Sequence, residues 1–226
     1  NLRRLERYAA RIYASGAVPV VILNKADICD DVQSVVDEIE RTLPGLAIHV
    51  TSASLSGGLG PVAARISTGV TAAFVGSSGA GKSTLINALL DEERFATTET
   101  RSGDGRGRHT TTRRQLVMLP SGGLLMDTPG MRELALPDEE GIDAVFPAID
   151  DLAAYCRFRD CTHQSEPGCA VREAVKRGDL PEERLDHYLK MRAEADAFEL
   201  RRNERLRRRS EKVEGKRRAT DLKLIQ

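Results

Sequence analysis

Apolar residues Leu2, Leu5, Tyr8 and Ile12 recur near a helical period with arginines on the opposite face, which predicts a helix over residues 1–15, ended by Gly16. Val18 to Leu23 is a short run rich in β-branched residues and reads as a buried parallel strand. A second amphipathic helix is expected over residues 31–43, stopped by Pro44-Gly45, and a second strand over residues 46–50. Residues 71–75 form a third strand that runs into a Gly/Ser-rich turn and a helix from Lys82 to about Leu90. Two further strands, residues 115–119 and 124–126, flank the turn Ser121-Gly122-Gly123. Strands alternating with helices predict an α/β fold with a mostly parallel sheet covered by helices. Beyond about Phe146 the strand signals stop, and a long Arg-rich helix is expected from roughly residue 182 to 209. We therefore expect one domain over residues 1–148 and a small helical domain over residues 149–226.

Composition sharpens this outline. At 40% hydrophobic and 30% charged residues, the chain has the make-up of a soluble globular protein, and no apolar run nears the roughly 20 residues of a membrane span. Aromatics are only 4% and Trp is absent, which argues against nucleic-acid recognition by extensive base stacking. The first residue is Asn1 rather than Met, so a natural start beyond this sequence is expected. The formal net charge of zero hides segregation: between Arg201 and Arg218 ten Lys/Arg face three Glu, a local +7, whereas acids predominate from Asp127 to Asp151. Nothing resembles a signal peptide, and a reducing cytoplasm suits the cysteine usage.

The strongest chemical signal is Gly76-Ser77-Ser78-Gly79-Ala80-Gly81-Lys82-Ser83, a complete phosphate-binding loop between a strand and a helix. Glycines let backbone N–H groups wrap a phosphate, and the helix N-terminus adds its positive dipole end. Lys82 can reach the outer phosphates, the Ser83 hydroxyl is placed for Mg²⁺, and Thr84 completes the turn. Asn24-Lys25-Ala26-Asp27 follows the first strand. A carboxylate such as that of Asp27 can accept from guanine N1–H and its exocyclic amine, where adenine offers no donor, while the Lys25 stem can lie along the base. Thr51-Ser52-Ala53, after the second strand, matches a loop whose backbone meets guanine O6. Asp127-Thr128-Pro129-Gly130 ends the last strand and matches the D-x-x-G turn, in which Asp127 reaches Mg²⁺ through water and the Gly130 N–H senses the γ-phosphate. Together these motifs specify a GTP site. Their order is rotated, with the base-reading loops ahead of the phosphate loop, so a cyclic permutation of the strands is expected.

Cys156, Cys161, His163 and Cys169 supply three thiolates and one imidazole within 14 positions. That donor set closes a tetrahedron of the structural zinc type, although its spacing is not the common paired C-x₂-C. A small, aromatic-poor domain gains from a metal the stability its core lacks. Cys29 stands apart, and His49 and His187 read as scaffold residues. Arg201, Arg202, Arg205, Arg207 to Arg209, Lys212 and Lys216 to Arg218 form a cationic stretch suited to RNA phosphates or, equally by charge alone, to a solvated tail.

With these motifs in place, and with Gly105 to Thr112, Glu166 to Val171 and Arg184 to Tyr188, nearly the whole chain resembles the circularly permuted, ribosome small-subunit-dependent GTPase A (RsgA) family. The resemblance implies a GTPase stimulated by the 30S subunit, acting late in its maturation and contacting 16S rRNA, with one structural zinc and with Mg²⁺. It implies a cytoplasmic protein, for which a monomer is expected, and it raises the zinc reading of the Cys/His cluster. Family members usually carry an N-terminal OB-fold domain, which is not visible in this sequence. Met131 occupies the position where Ras-like enzymes place the water-orienting Gln. The family points to His109 for that role; a solvated loop histidine or an RNA contact would use the same residue type. Thr111 or Thr112 is expected to meet Mg²⁺. A rival reading is a GTP-gated RNA- or ribosome-binding module with negligible turnover. A P-loop ATPase or small-molecule kinase fails on Asn24–Asp27.

Overall fold

The computed structural model describes residues 1–53, 58–77, 79–95, 115–127 and 139–224, the side chains of residues 115, 127, 139 and 212–224 excepted. The chain divides into two compact units, one of residues 1–8 and 17–134, the other of residues 9–16 and 135–226.

In the first unit, β1 (Val20–Leu23) pairs in parallel with β2 (Ala47–Val50), Val20 opposite Ala47 and Leu23 opposite Val50. The helix α2 (Val32–Thr42) connects them, and the Asp31 carboxylate caps its start by accepting from the Ser34 N–H at 3.0 Å. A second sheet has the order β3 (Thr71–Ala73), β5 (Leu124–Asp127), β4 (Gln115–Met118). Here β3 and β5 are parallel, and β4 and β5 form an antiparallel hairpin across the Ser121-Gly122-Gly123 turn. The expected mostly parallel pattern is thus present as two parallel pairs plus this hairpin, distributed over two sheets. Strand β4 alternates as its pattern demands: Val117 is buried while Leu116 and Met118 are exposed.

The core of this unit gathers Val62 and Ile66 from α3 (Gly60–Arg65) and its end, Ile86, Leu89 and Leu90 from α4 (Lys82–Leu90), and Val117, Leu119 and Leu125 from the hairpin. Ile22 of β1 and Ala72 of β3 pack on the same cluster, so β1 and the three-stranded sheet rest on one apolar support. The short helix α3 carries too few periodic positions to be read from the pattern. A further helical turn, Ala26–Ile28, follows β1 directly.

The second unit includes residues 9–14 of α1 (Leu2–Ala14), then α5 (Glu139–Val145), α6 (Pro147–Ala153), α7 (Ala170–Arg177) and α8 (Glu182–Leu224). It begins at Ala135, ahead of the boundary expected near Ile149, because Ile142, Val145, Phe146 and Ile149 belong to its core with Val171, Leu185, Tyr188 and Met191. Gly141 lets α5 approach α1 closely, since a Cβ there would strike the Ala10 carbonyl and the Ala14 methyl. Phe146 is fully buried, edge-on to His187 and Tyr188, with the Arg184 guanidinium 4.8 Å from its ring centre. Arg184 also donates to the Val145 carbonyl at 3.1 Å, satisfying the end of α5.

Helix α8 buries Leu185, Tyr188, Met191 and Ala195 along one face. From Phe198 to Glu211 every residue is exposed. The helix runs to Leu224 rather than stopping near residue 209, because residues 210–224 contain no proline and only Gly215 opposes helix strongly. Arg207–Glu211 and Glu204–Arg208 pairs at i,i+4 add small increments. Phe146→Ala is expected to destabilise the second unit by about 3–5 kcal/mol, measured by urea unfolding of the zinc-loaded protein.

Candidate functional site

The phosphate-type loop ends at Gly81, which caps α4 in the left-handed conformation (φ 87°). Glycine is required there twice over, for its φ and because a Cβ would collide with the Asn24 amide. The first turn of α4 therefore opens toward the loop with its N–H groups unpaired by the helix itself, a local field suited to an anion. The Lys82 ammonium donates to the carbonyls of Gly76 at 2.8 Å and Ser77 at 2.7 Å, so it lies across the loop. Burial lowers its pKa below the ordinary lysine value. Ser83, in the same turn, is half-buried.

Asn24, at the end of β1, reaches this loop. Its amide N–H donates to the Ala80 carbonyl at 3.1 Å, and its Oδ1 accepts from the Ala53 N–H at 3.1 Å. One side chain thus fastens three segments. Lys25 sits at φ 67°, a left-handed conformation costly for a residue with a side chain, and it turns the chain sharply into the Ala26–Ile28 turn. The Ala26 N–H donates to the Thr51 carbonyl at 3.1 Å, and the Ser52 hydroxyl donates to Asp27 Oδ1 at 2.5 Å. A carboxylate has about four acceptor positions, so accepting from a hydroxyl is compatible with accepting a paired donor set from a base. Thr51, buried, donates to the Gly58 carbonyl at 2.7 Å and so ties down the far side of its own loop.

The structure therefore brings together Asn24 to Asp27, Thr51 to Ala53, and Gly79 to Lys82, while β3 and β5 lie side by side so that the phosphate loop and Asp127 leave neighbouring strands at the same end. Ser78, His109, Thr111, Thr112, Gly130 and Met131 lie outside the described residues. Asn87 escaped the sequence reading. It donates to the Phe95 carbonyl at 2.7 Å and accepts from the Phe95 N–H at 2.8 Å, which clips the chain leaving α4 back onto the helix.

In the second unit the ligand atoms of Cys156, Cys161, His163 and Cys169 all lie within 4.8 Å of one another. Cys156 Sγ is 3.6 Å from His163 Nδ1 and 3.9 Å from Cys169 Sγ, and His163 Nδ1 is 3.4 Å from Cys169 Sγ. Tetrahedral zinc, with Zn–S of about 2.3 Å and Zn–N of about 2.0 Å, places its ligand atoms about 3.5–3.8 Å apart, so the set fits that ion. Burial pushes the Cys161 thiol up to about 12. Burial also raises Cys156, but the backbone at Val171 and Ala170 and the neighbouring thiols outweigh it and hold that thiol below its ordinary value. Burial lowers His163, which favours the neutral imidazole a metal needs. Cys169 caps α7, accepting from the Arg172 N–H at 3.5 Å, which suits a thiolate at a helix N-terminus.

The ligand loop is organised by Glu166, whose ordering role the sequence did not reveal. Its carboxylate accepts from the Thr162 N–H at 2.8 Å, the Thr162 hydroxyl at 2.5 Å, the Gln164 N–H at 3.0 Å and the Ser165 N–H at 3.1 Å. The Thr162 hydroxyl, followed by these N–H groups, depresses its pKa from 4.5 to about 2. Its stabilising contribution is therefore present above pH 4.5 and is lost as pH falls through 2. Arg172 braces the same loop by donating to the Gln164 carbonyl.

The described residues that follow β1, β2 and β3, with Asp127 at the end of β5, belong to a permuted P-loop GTPase fold, and the second unit carries a Cys₃His donor set suited to a metal. The RsgA GTPase family model matches residues 1–137, and the chain belongs to that family. Among curated relatives, the small ribosomal subunit biogenesis GTPase RsgA of Methanosarcina acetivorans is 50% identical over 189 residues, covering 83% of this chain and 51% of the relative. That of Streptomyces avermitilis is 48% identical over 211 residues, covering 92% and 57%. The chain thus spans about half the length of these relatives. Two solved structures share the fold. YjeQ from Thermotoga maritima is 30% identical with a TM-score of 0.64, over 86% of this chain and 66% of that one. YloQ, described as a circularly permuted GTPase, is 26% identical with a TM-score of 0.62, over 87% and 63%.

Glu166→Gln is expected to weaken zinc retention about tenfold at neutral pH, read as the rate of zinc transfer to a chromogenic chelator. Transfer at the parent's rate would remove Glu166 from the support of the site.

Proposed function

We propose that this chain is the nucleotide-handling and zinc-binding portion of a GTPase that hydrolyses GTP to GDP and phosphate and assists late maturation of the 30S subunit. The observation that carries this reading is the Asn24 amide, bonded at once to the phosphate loop and to the Thr51–Ala53 loop. It links the Asn24–Asp27 segment and the Thr51–Ala53 loop to the phosphate loop at Ala80, which supports a base reader and a phosphate grip serving one nucleotide. Asp27 accepts from guanine N1–H and N2–H, with Ser52 orienting the carboxylate and the Ala53 region facing O6. Gly76 to Lys82 wrap the phosphates, with Ser83 and, through water, Asp127 holding Mg²⁺. Gly130 senses the γ-phosphate, Thr111 or Thr112 completes the Mg²⁺ shell, and His109 orients the attacking water in the absence of a glutamine at Met131.

The names of the relatives support the ribosomal setting, since they are called small ribosomal subunit biogenesis GTPases. The exposed cationic face of α8 supports contact with 16S rRNA, with salt-dependent affinity for phosphates. One zinc, held by Cys156, Cys161, His163 and Cys169, keeps the second unit folded for that contact. No described helix is long and apolar enough to cross a membrane, and a monomer working on ribosomes in the cytoplasm is the corresponding setting.

Calorimetry should show GTP and GDP binding with ATP excluded, and Asp27→Asn should weaken GTP by about 1.5–3 kcal/mol, the worth of hydrogen bonds to a charged acceptor. Equal affinity for ATP and GTP would overturn the base assignment. Turnover by the full-length protein should rise on titration with 30S subunits and fall in His109→Ala, with GTP affinity kept. A flat titration would favour a GTP-gated binding module, and unchanged turnover in the variant would end the role of His109.

A further inference from the structure

Only nine Phe and Tyr residues occur in the chain, yet two of the three exposed rings lie three positions apart on the loop of the Cys/His cluster. Tyr155 is 81% exposed and Phe158 41% exposed. Neither is buried in the core, so each forgoes part of the stabilisation that full burial brings to a large apolar side chain. Both rings stand on a backbone fixed from several directions. The Tyr155 N–H donates to the Leu152 carbonyl at 3.1 Å and the Cys156 N–H to the Ala153 carbonyl at 3.0 Å, while the Arg157 N–H donates to the Gly168 carbonyl at 3.1 Å. Cys156 and Cys161 close the same loop onto the metal cluster. Two arginines, Arg157 and Arg159, are interleaved with the rings against the single acid Asp160, and the Arg157 guanidinium sits 5.4 Å from the Phe158 ring centre.

The geometry points to a stacking platform for unpaired nucleotides on the loop Tyr155–Cys161. This deepens the proposed function and rests on its RNA reading. Flat rings presented on a rigid loop lose little freedom when a base stacks on them, and the adjoining guanidinium groups supply partners for the phosphates. A duplex, whose bases are already stacked on each other, gives these rings nothing to stack on. The low overall aromatic content is no obstacle, because the rings that matter are concentrated on one loop.

The test uses the full chain with its zinc content verified. Affinity is measured for a short single-stranded RNA of mixed sequence and for a fully paired RNA duplex of the same length. Tyr155→Ala is expected to weaken the single strand about tenfold, with Phe158→Ala acting in the same direction. Tyr155→Phe should retain parental affinity, and duplex binding should not change in any variant. Parental affinity of the zinc-loaded Ala variants, or equal loss in Tyr155→Phe, would overturn the platform while leaving RNA binding by the chain intact. Loss of 30S binding with oligonucleotide affinity unaltered would mean that the rings face a ribosomal protein, and would also overturn it. If the parent bound neither RNA, the RNA reading itself would fall, and the platform with it.

Discussion

The nucleotide side of this protein depends on one carboxamide. Asn24 is 56 residues from Ala80 and 29 from Ala53, yet its donor and its acceptor engage both at 3.1 Å. Each such bond is worth only about 0.5–1.5 kcal/mol net. Its importance is geometric, because an amide has one end that donates and one that accepts, and here each end fixes a different loop. The Gly81 backbone leaves room for that amide, and the Ser52–Asp27 bond follows from the resulting alignment. A node of this kind is indifferent to chain order. It needs β1, β2 and β3 to end near one another, whichever comes first in sequence, which is why a permuted chain can present the same constellation.

The second unit answers a different constraint. Its core of Ile142, Val145, Phe146, Ile149, Val171 and Met191 is well buried, but the segment from Tyr155 to Gly168 contains no regular helix or strand. A Cys₃His cluster and the Glu166 carboxylate order it instead. Glu166 is effective because its four acceptor contacts all fall on Thr162, Gln164 and Ser165, the stretch that sets the direction of His163. The same loop carries the exposed rings, so metal binding and surface chemistry are coupled through a short piece of backbone.

Much of this was legible in the residues. The helix over Lys82–Leu90 and the strands β1, β2, β4 and β5 follow their hydrophobic periods within a residue or two, because each is amphipathic or continuously apolar over its own length. Short α3, α5 and α6 were not legible, since six or seven residues carry too little periodicity and form only where Val62, Ile142 and Ile149 find a core. The placing of α5 in the second unit likewise depended on Phe146 meeting His187 and Tyr188 from a helix some forty positions away.

By itself, the sequence determined the motif set, the donor types of the metal cluster and the charge of α8, because each is a matter of residue identity at short spacing. Tertiary structure alone decided that Asn24 joins two other loops, that Ser52 holds Asp27, that Glu166 gathers the ligand loop and that Tyr155 and Phe158 stay exposed. Those facts concern which atoms meet across long stretches of chain and which stay open to solvent. Local composition carries no record of either.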